Sequence, residues 1–138
     1  MLQLRFETWS VAFPDDWDHD IEDDILALAT PAGESLLQIG SMSKDEGPVT
    51  EDDLWEFMDD AGVETGDVQR VKLGDFEGLA AMTEEESILL RYWVVRAGEV
   101  LLLATFRCPN DRAGADIGRV EGVLQTLRLE PPAAAKPH

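Results

Sequence analysis

Two long apolar runs separated by a tight turn constrain this chain more than any other feature of its sequence. Ile88 to Arg96 and Val100 to Cys108 are rich in β-branched, aromatic and leucine residues, and Ala97-Gly98 between them predicts a hairpin. If Ala97-Gly98 is a two-residue loop, Arg96 faces Glu99 and Tyr92 faces Leu103. Side chains alternate across a strand, so Leu90, Tyr92, Val94, Leu101 and Leu103 share one face, and Leu89, Trp93, Val95, Val100, Leu102 and Phe106 share the other. A hairpin apolar on both sides needs cover on both sides. It is therefore expected at the centre of an antiparallel sheet, beneath helices or long loops.

The surrounding segments follow the same grammar. Leu2, Leu4 and Phe6, then Trp9, Val11 and Phe13, alternate with polar residues as half-buried strands do, and Pro14-Asp15-Asp16 breaks the second run so that Trp17 folds back onto the sheet. Asp18 to Asp24 is expected to be an acidic loop. Ile25–Thr30 and Ser35–Ser41 flank Pro31-Ala32-Gly33-Glu34 and predict a second hairpin. Val68–Leu73 and Phe76–Thr83, joined by Gly74-Asp75, predict a third.

Two helices complete the inventory. Thr50 caps the first, Asp53 completes a variant capping box and Val49 can staple onto Leu54, for a helix from Glu51 to about Ala61 that Gly62 ends. Leu54, Phe57, Met58 and Ala61 form its apolar stripe, and Asp52, Asp53, Glu56, Asp59 and Asp60 its opposite face. Asp59 and Asp60 lie at the negative end of the helix dipole, each costing a few tenths of a kcal/mol, roughly. The second helix starts at Asn110 or Asp111 and runs to about Thr126, with Ile117, Val120, Val123, Leu124 and Leu127 facing inward; Leu127–Leu129 adds a short edge strand. The fold class is thus α+β, a twisted antiparallel sheet flanked by two helices. Residues 1–130 form a single domain, and the Pro- and Ala-rich residues 131–138 a loose tail with too little apolar surface to offset its ordering entropy.

Charge sets the function classes. The net charge is −18, and residues 1–65 hold 18 Asp and Glu against Arg5 and Lys44 alone. Such a field repels nucleic acid and anionic membranes and draws in a basic partner, although acidity can also serve solubility. The apolar stretches are too short to span a bilayer, and the first residues lack the pattern of a secretory signal. The single cysteine, Cys108, forms no intramolecular disulfide, so a cytoplasmic location is expected.

Few residues point to chemistry. An EF-hand counted from Asp16 would need Gly at its sixth position and Glu at its twelfth, where Ile21 and Ala27 stand, although a nonstandard divalent site in residues 15–24 stays open. His19 has no nucleophile placed beside it by any motif, and Glu84-Glu85-Glu86 suits a solvated hairpin turn. No phosphate loop, zinc spacing or hydrolase elbow occurs, so no enzyme activity, cofactor or metal is expected. Arg91 falls among Leu89, Trp93 and Ala104 in the assumed register, either lining a concave sheet face or making a structural ion pair. Trp17 and Trp55 are candidate interface anchors, and Asp52, Glu56, Asp59 and Asp60 a candidate acidic partner-binding face.

The phrase Trp9-Ser-Val-Ala-Phe-Pro-Asp-Asp-Trp17, the aromatic-then-glycine Phe76-Glu-Gly78 and the closing Leu127-Arg128-Leu129, in the order strands, helix, strands, helix, resemble the Mog-type and PsbP-like superfamily. The Pro14-Asp15-Asp16-Trp17 turn is most similar to that of the bacterial type VI effector chaperones. The resemblance implies a sandwich of that type and a non-catalytic adaptor or chaperone, with a secreted effector among its candidate cargoes. The expected partner is a protein that is basic or exposes an apolar segment. An acidic immunity protein neutralising a basic toxin, and a small-ligand-binding domain or enzyme using Arg91, are the alternatives; greasy edge strands leave a homodimer open.

Overall fold

Ten strands and two helices appear in the computed structural model, which describes residues 1–23, 25–31, 35–43, 47–60, 68–109 and 113–130. They run β1 (Leu2–Arg5), β2 (Trp9–Phe13), β3 (Asp18–Glu22), β4 (Ile25–Ala29), β5 (Leu36–Ser43), α1 (Glu51–Asp60), β6 (Gln69–Leu73), β7 (Phe76–Glu85), β8 (Ile88–Ala97), β9 (Val100–Pro109), α2 (Ala113–Leu124) and β10 (Arg128–Leu129). A seven-stranded antiparallel sheet has the order β3-β4-β5-β9-β8-β7-β6, and a three-stranded sheet the order β1-β2-β10. The hairpin β8–β9 is central, as its two apolar faces require. The expected ends of the helices at Gly62 and at Asn110 or Asp111, most of the turn at 31–34 and the tail 131–138 lie outside the described residues.

Each face of the large sheet has its own core. On one face Leu26, Leu28, Leu37, Ile39, Trp93, Val95, Leu102 and Phe106 pack with Trp9, Val11 and Phe13 of the small sheet and with Val120, Val123 and Leu124 of α2. On the other, Leu79, Ala81, Val94 and Leu101 pack with Leu54 and Met58 of α1. The expected helix start holds in detail: the Thr50 N–H donates to Asp53 Oδ2 at 2.9 Å, and the Asp53 N–H to Thr50 Oγ1 at 3.2 Å. Val49 and Leu54 are both buried in the core under α1.

Two expectations require correction. The turn of the central hairpin is Gly98-Glu99, because Ala97 pairs with Val100 and Tyr92 with Thr105. Gly98 takes the positive φ of 59° that a tight hairpin loop needs, which Ala97 would adopt only with strain. The ladder thus moves by two positions, an even step that leaves every side chain on its expected face. The second correction concerns Asp18–Glu22, which is not a loop but strand β3, paired to β4 from Asp18↔Ala29 to Glu22↔Ile25. The low strand propensity of aspartate is overridden by backbone pairing with β4 and by the His19 ring, 5.4 Å from that of Phe13.

Thr126 joins the layers. Its hydroxyl accepts the Ala12 N–H at 2.8 Å and lies 2.6 Å from the Val123 carbonyl oxygen, to which it donates. Gly78 marks a close approach between strands, since a Cβ there would collide with the backbone carbonyl of Val94. That collision gives the aromatic-then-glycine phrase a steric cause. Gly78→Ala is expected to destabilise the fold by about 1–3 kcal/mol, with nothing flexible able to yield. Thr126→Val, which strands the Ala12 N–H, is expected to cost about the same. Chemical denaturation of both variants with unchanged m-values checks the pair.

Candidate functional site

The two faces of the large sheet are covered unequally. α2 and the small sheet cover the first face, whereas on the second α1 packs over β7, β8 and the turn end of β9. Pairing across β4, β5 and β9 places Ile25 with Gly40, Ala27 with Gln38, Ala29 with Leu36, Gly40 with Leu103 and Met42 with Leu101 on that second face. Beyond α1 no described element covers the face, which is bare in that sense. Ile25 is 44% exposed, Leu36 37% and Met42 55%, and Leu103, Tyr92, Ala27 and Ala29 are half-buried around them.

A groove of about 410 Å³ runs along this surface between Asp23, Ile25, Gln38, Gly40, Met42, Leu103 and Thr105. Its depth at Gly40 comes from the missing side chain, the Ile25 Cγ1 lying where a Cβ would make ordinary contact at 3.6 Å. A smaller hollow continues it toward the edge, lined by Asp20, Glu22, Asp23 and Ala27. Arg107 stands at the opposite end of the face with Leu90 and Ile88.

Carboxylates bound the groove along its β3 side. Asp18, Asp20 and Glu22 pair with Ala29, Ala27 and Ile25, so all three point to the bare face, and all are exposed. α1 on the other side carries exposed Asp52, Glu56, Asp59 and Asp60, with no basic residue in its last turn. Five arginines are paired away from the groove, Arg5 with Glu130, Arg70 with Glu51, Arg91 with Glu121, Arg96 with Glu77 and Arg119 with Asp16, while exposed Arg107, opposite Leu36, places one cation at the far end of the face. No carboxylate of β3 makes an ion pair with a described residue. A surface that is apolar along its floor and anionic along its sides suits a partner that is itself apolar and cationic.

The other candidate residues fall away from this groove. Trp17 is buried at 3% exposure beneath Arg119, whose guanidinium lies 5.4 Å from its ring centroid, which takes the indole off the surface. Arg91 sits opposite Phe106 and Met82 on the covered face, not beside Ala104 as the assumed register had it. Its guanidinium lies 5.1 Å from the Trp93 centroid and 3.6 Å from Glu121 of α2. That is the structural ion pair, and Arg91 lines no described groove. Trp55 is half-buried against the core under α1, alongside the acidic residues of the same helix.

Groups capable of bond-making are separated. Cys108 is buried on the covered face, and His19 is exposed on the edge strand. Ser35 Oγ donates to the buried Asp116 Oδ2 at 2.6 Å, which ties the β4–β5 hairpin to α2. Among the described residues no group of three or more His, Cys, Asp or Glu is placed to hold a metal ion. Nor is any described helix long and apolar enough to cross a membrane.

The groove floor was missed in the sequence because Ile25, Met42 and Leu103 belong to strands whose alternation looks the same whether a helix covers them or not. The alternation Asp-His-Asp-Ile-Glu over 18–22 was the available sign of β3.

No protein-family model matches this chain, and no curated protein matches it in sequence. Solved structures do. A Bacteroides thetaiotaomicron protein superposes with a TM-score of 0.67 at 17% identity, over 89% of this chain and 45% of the other. The present chain therefore spans less than half of that protein. A cyanobacterial PsbP (CyanoP) from Synechocystis sp. superposes with a TM-score of 0.53 at 11% identity, over 94% and 92% of the two chains. The fold is PsbP-like, an α+β arrangement of a large antiparallel sheet with two helices.

Exposed apolar residues on the bare face should be dispensable for folding. Ile25→Asp and Met42→Asp are expected to change stability by less than about 0.5 kcal/mol each, whereas Leu54→Ala beneath α1 costs about 2–5 kcal/mol. Thermal denaturation of the three variants separates floor from core.

Proposed function

We propose that this protein is a non-catalytic adaptor or chaperone that holds a segment of a partner protein against the bare half of its large sheet. The observation that carries the proposal is the coincidence of exposed Ile25, Leu36 and Met42 with unneutralised carboxylates on β3. An apolar patch rimmed by polar groups on an otherwise well-covered sheet is what an interaction site looks like. The charge supplies long-range attraction for a basic partner and repels nucleic acid. The resemblance to the type VI effector chaperones favours a secreted effector as the cargo and the cytoplasm as the place of handover. The separation of His19 and Cys108 favours recognition over catalysis.

Affinity purification from the native cell tests the proposal when performed at low and high salt. The wild-type protein is expected to recover a basic partner at about 0.05 M salt and to lose most of it by about 0.5 M, as the Debye length contracts. Ile25→Asp combined with Met42→Asp is expected to lower recovery at both concentrations. Recovery indifferent to salt and to both substitutions counts against this function.

A further inference from the structure

The groove ends at an open sheet edge, and that edge has a specific chemistry. β3 is the terminal strand of the seven-stranded sheet, with β4 on one side only. Glu22 pairs with Ile25 across two intervening residues, which makes it a hydrogen-bonded pair, as are Asp20↔Ala27 and Asp18↔Ala29. The N–H and C=O of the alternate residues, His19 and Ile21, therefore point away from the sheet. They form a short ladder with its acceptors and donors unfilled by any described residue.

The side chains on this edge alternate in character. Asp18, Asp20 and Glu22 project to the bare face, and His19 and Ile21, the latter 49% exposed, to the other. A strand laid along β3 would set every second side chain beside a carboxylate and the others beside an imidazole ring and an isoleucine. Directly opposed side chains in such a pair lie about 5 Å apart, close enough for opposite charges to stabilise and like charges to destabilise.

Resting on the adaptor reading, we infer that β3 receives an extended partner segment of alternating basic and apolar residues as an eighth strand of the sheet. A second copy of this chain is disfavoured there, because antiparallel β3–β3 pairing would press two sets of three carboxylates together. The far edge offers no matching row of carboxylates: β6 carries Lys72 and Arg70, the latter paired with Glu51, on the side of the sheet that holds α1. The edges of the small sheet are four residues at β1, where Arg5 already faces Glu130, and two at β10. Backbone bonds to His19 and Ile21 would supply register, the carboxylates would supply choice of partner, and the chain leaving the new strand would enter the groove floored by Ile25 and Met42.

The test uses a fluorescent peptide of about seven residues alternating Lys and Val. Wild-type protein is expected to bind it with an affinity that falls as salt rises, and to show amide hydrogen exchange at His19 and Ile21 slowed about tenfold on saturation. Asp18→Lys combined with Asp20→Lys and Glu22→Lys should weaken binding at least about tenfold, or 1.4 kcal/mol, and a Glu-Val peptide should not bind. Ile21→Pro removes one outward donor while sparing the β4 ladder; if that variant fails to fold, a peptide N-methylated at alternate residues removes the same bonds from the ligand side. No binding, equal binding by the triple lysine variant, binding with unchanged exchange at His19 and Ile21, or a dimer that protects those amides without peptide each overturns the inference. A native partner recovered equally by wild type and the triple variant ends the β3 inference and leaves the adaptor reading intact. A peptide that seats on β3 while wild type recovers no native partner does the reverse.

Discussion

The ladder between β8 and β9 is the support on which the rest of the molecule is assembled. It joins Ile88–Ala97 to Val100–Pro109 without interruption, and its side chains supply the middle of both cores. Trp93, Val95, Leu102 and Phe106 anchor one layer, and Val94 and Leu101 the other. Burial on both sides fixes this hairpin in register, since a one-residue slip would exchange the two sets of side chains. The strands on either flank then inherit a defined face from their pairing with it.

Cover on the two faces is where the symmetry ends. α2 is held over the first face by Val120, Val123 and Leu124 and by the Ser35–Asp116 bond. α1 covers β7, β8 and the turn end of β9 on the second, and no described residue lies over the apolar side chains of β4 and β5 there. Among the described residues, the two cores take up one face and half of the other, and the remaining half keeps exposed apolar side chains. The charge follows the same division. Arg70, Arg91, Arg96 and Arg119 are paired with carboxylates, while Asp18, Asp20 and Glu22 of β3 and Asp52, Glu56, Asp59 and Asp60 of α1 make no ion pair with a described residue.

Local grammar in the sequence reached much of this. Alternation identified the strands from Trp9–Phe13 through Val100–Cys108 apart from β3, and the Thr50–Asp53 box located the start of α1 because both residues satisfy backbone donors that any helix leaves open. The turn at Ala97-Gly98 was misplaced by one residue because composition marks where a loop is, whereas the positive φ of Gly98 decides which residue opens it. Asp18, Asp20 and Glu22 looked like loop because their low strand propensity was weighed without the partner strand β4. The site was less legible than the fold. Trp17 and Arg91 looked like recognition residues, and the structure places Trp17 in the core beneath Arg119 and Arg91 beside Glu121 on the covered face. Ile25 and Met42 were unremarkable until the extent of α1 was known, since exposure on a sheet is a property of what lies above it.

The small sheet carries a consequence for how the chain is made. Strand β2 stands between β1 and β10, and β10 pairs Arg128 with Ser10 and Leu129 with Trp9, joining segments from opposite ends of the described chain. Glu130 N–H adds a further bond to the Thr8 carbonyl at 2.9 Å. During synthesis Trp9 and its neighbours leave the ribosome long before their second partner exists. A nascent chain of this design must wait with an apolar strand half-paired until Arg128 and Leu129 emerge, and contacts of such long sequence separation slow the search. Closure of the small sheet therefore waits on the synthesis of β10, and the interval before it is when this molecule is itself in most need of a holding surface.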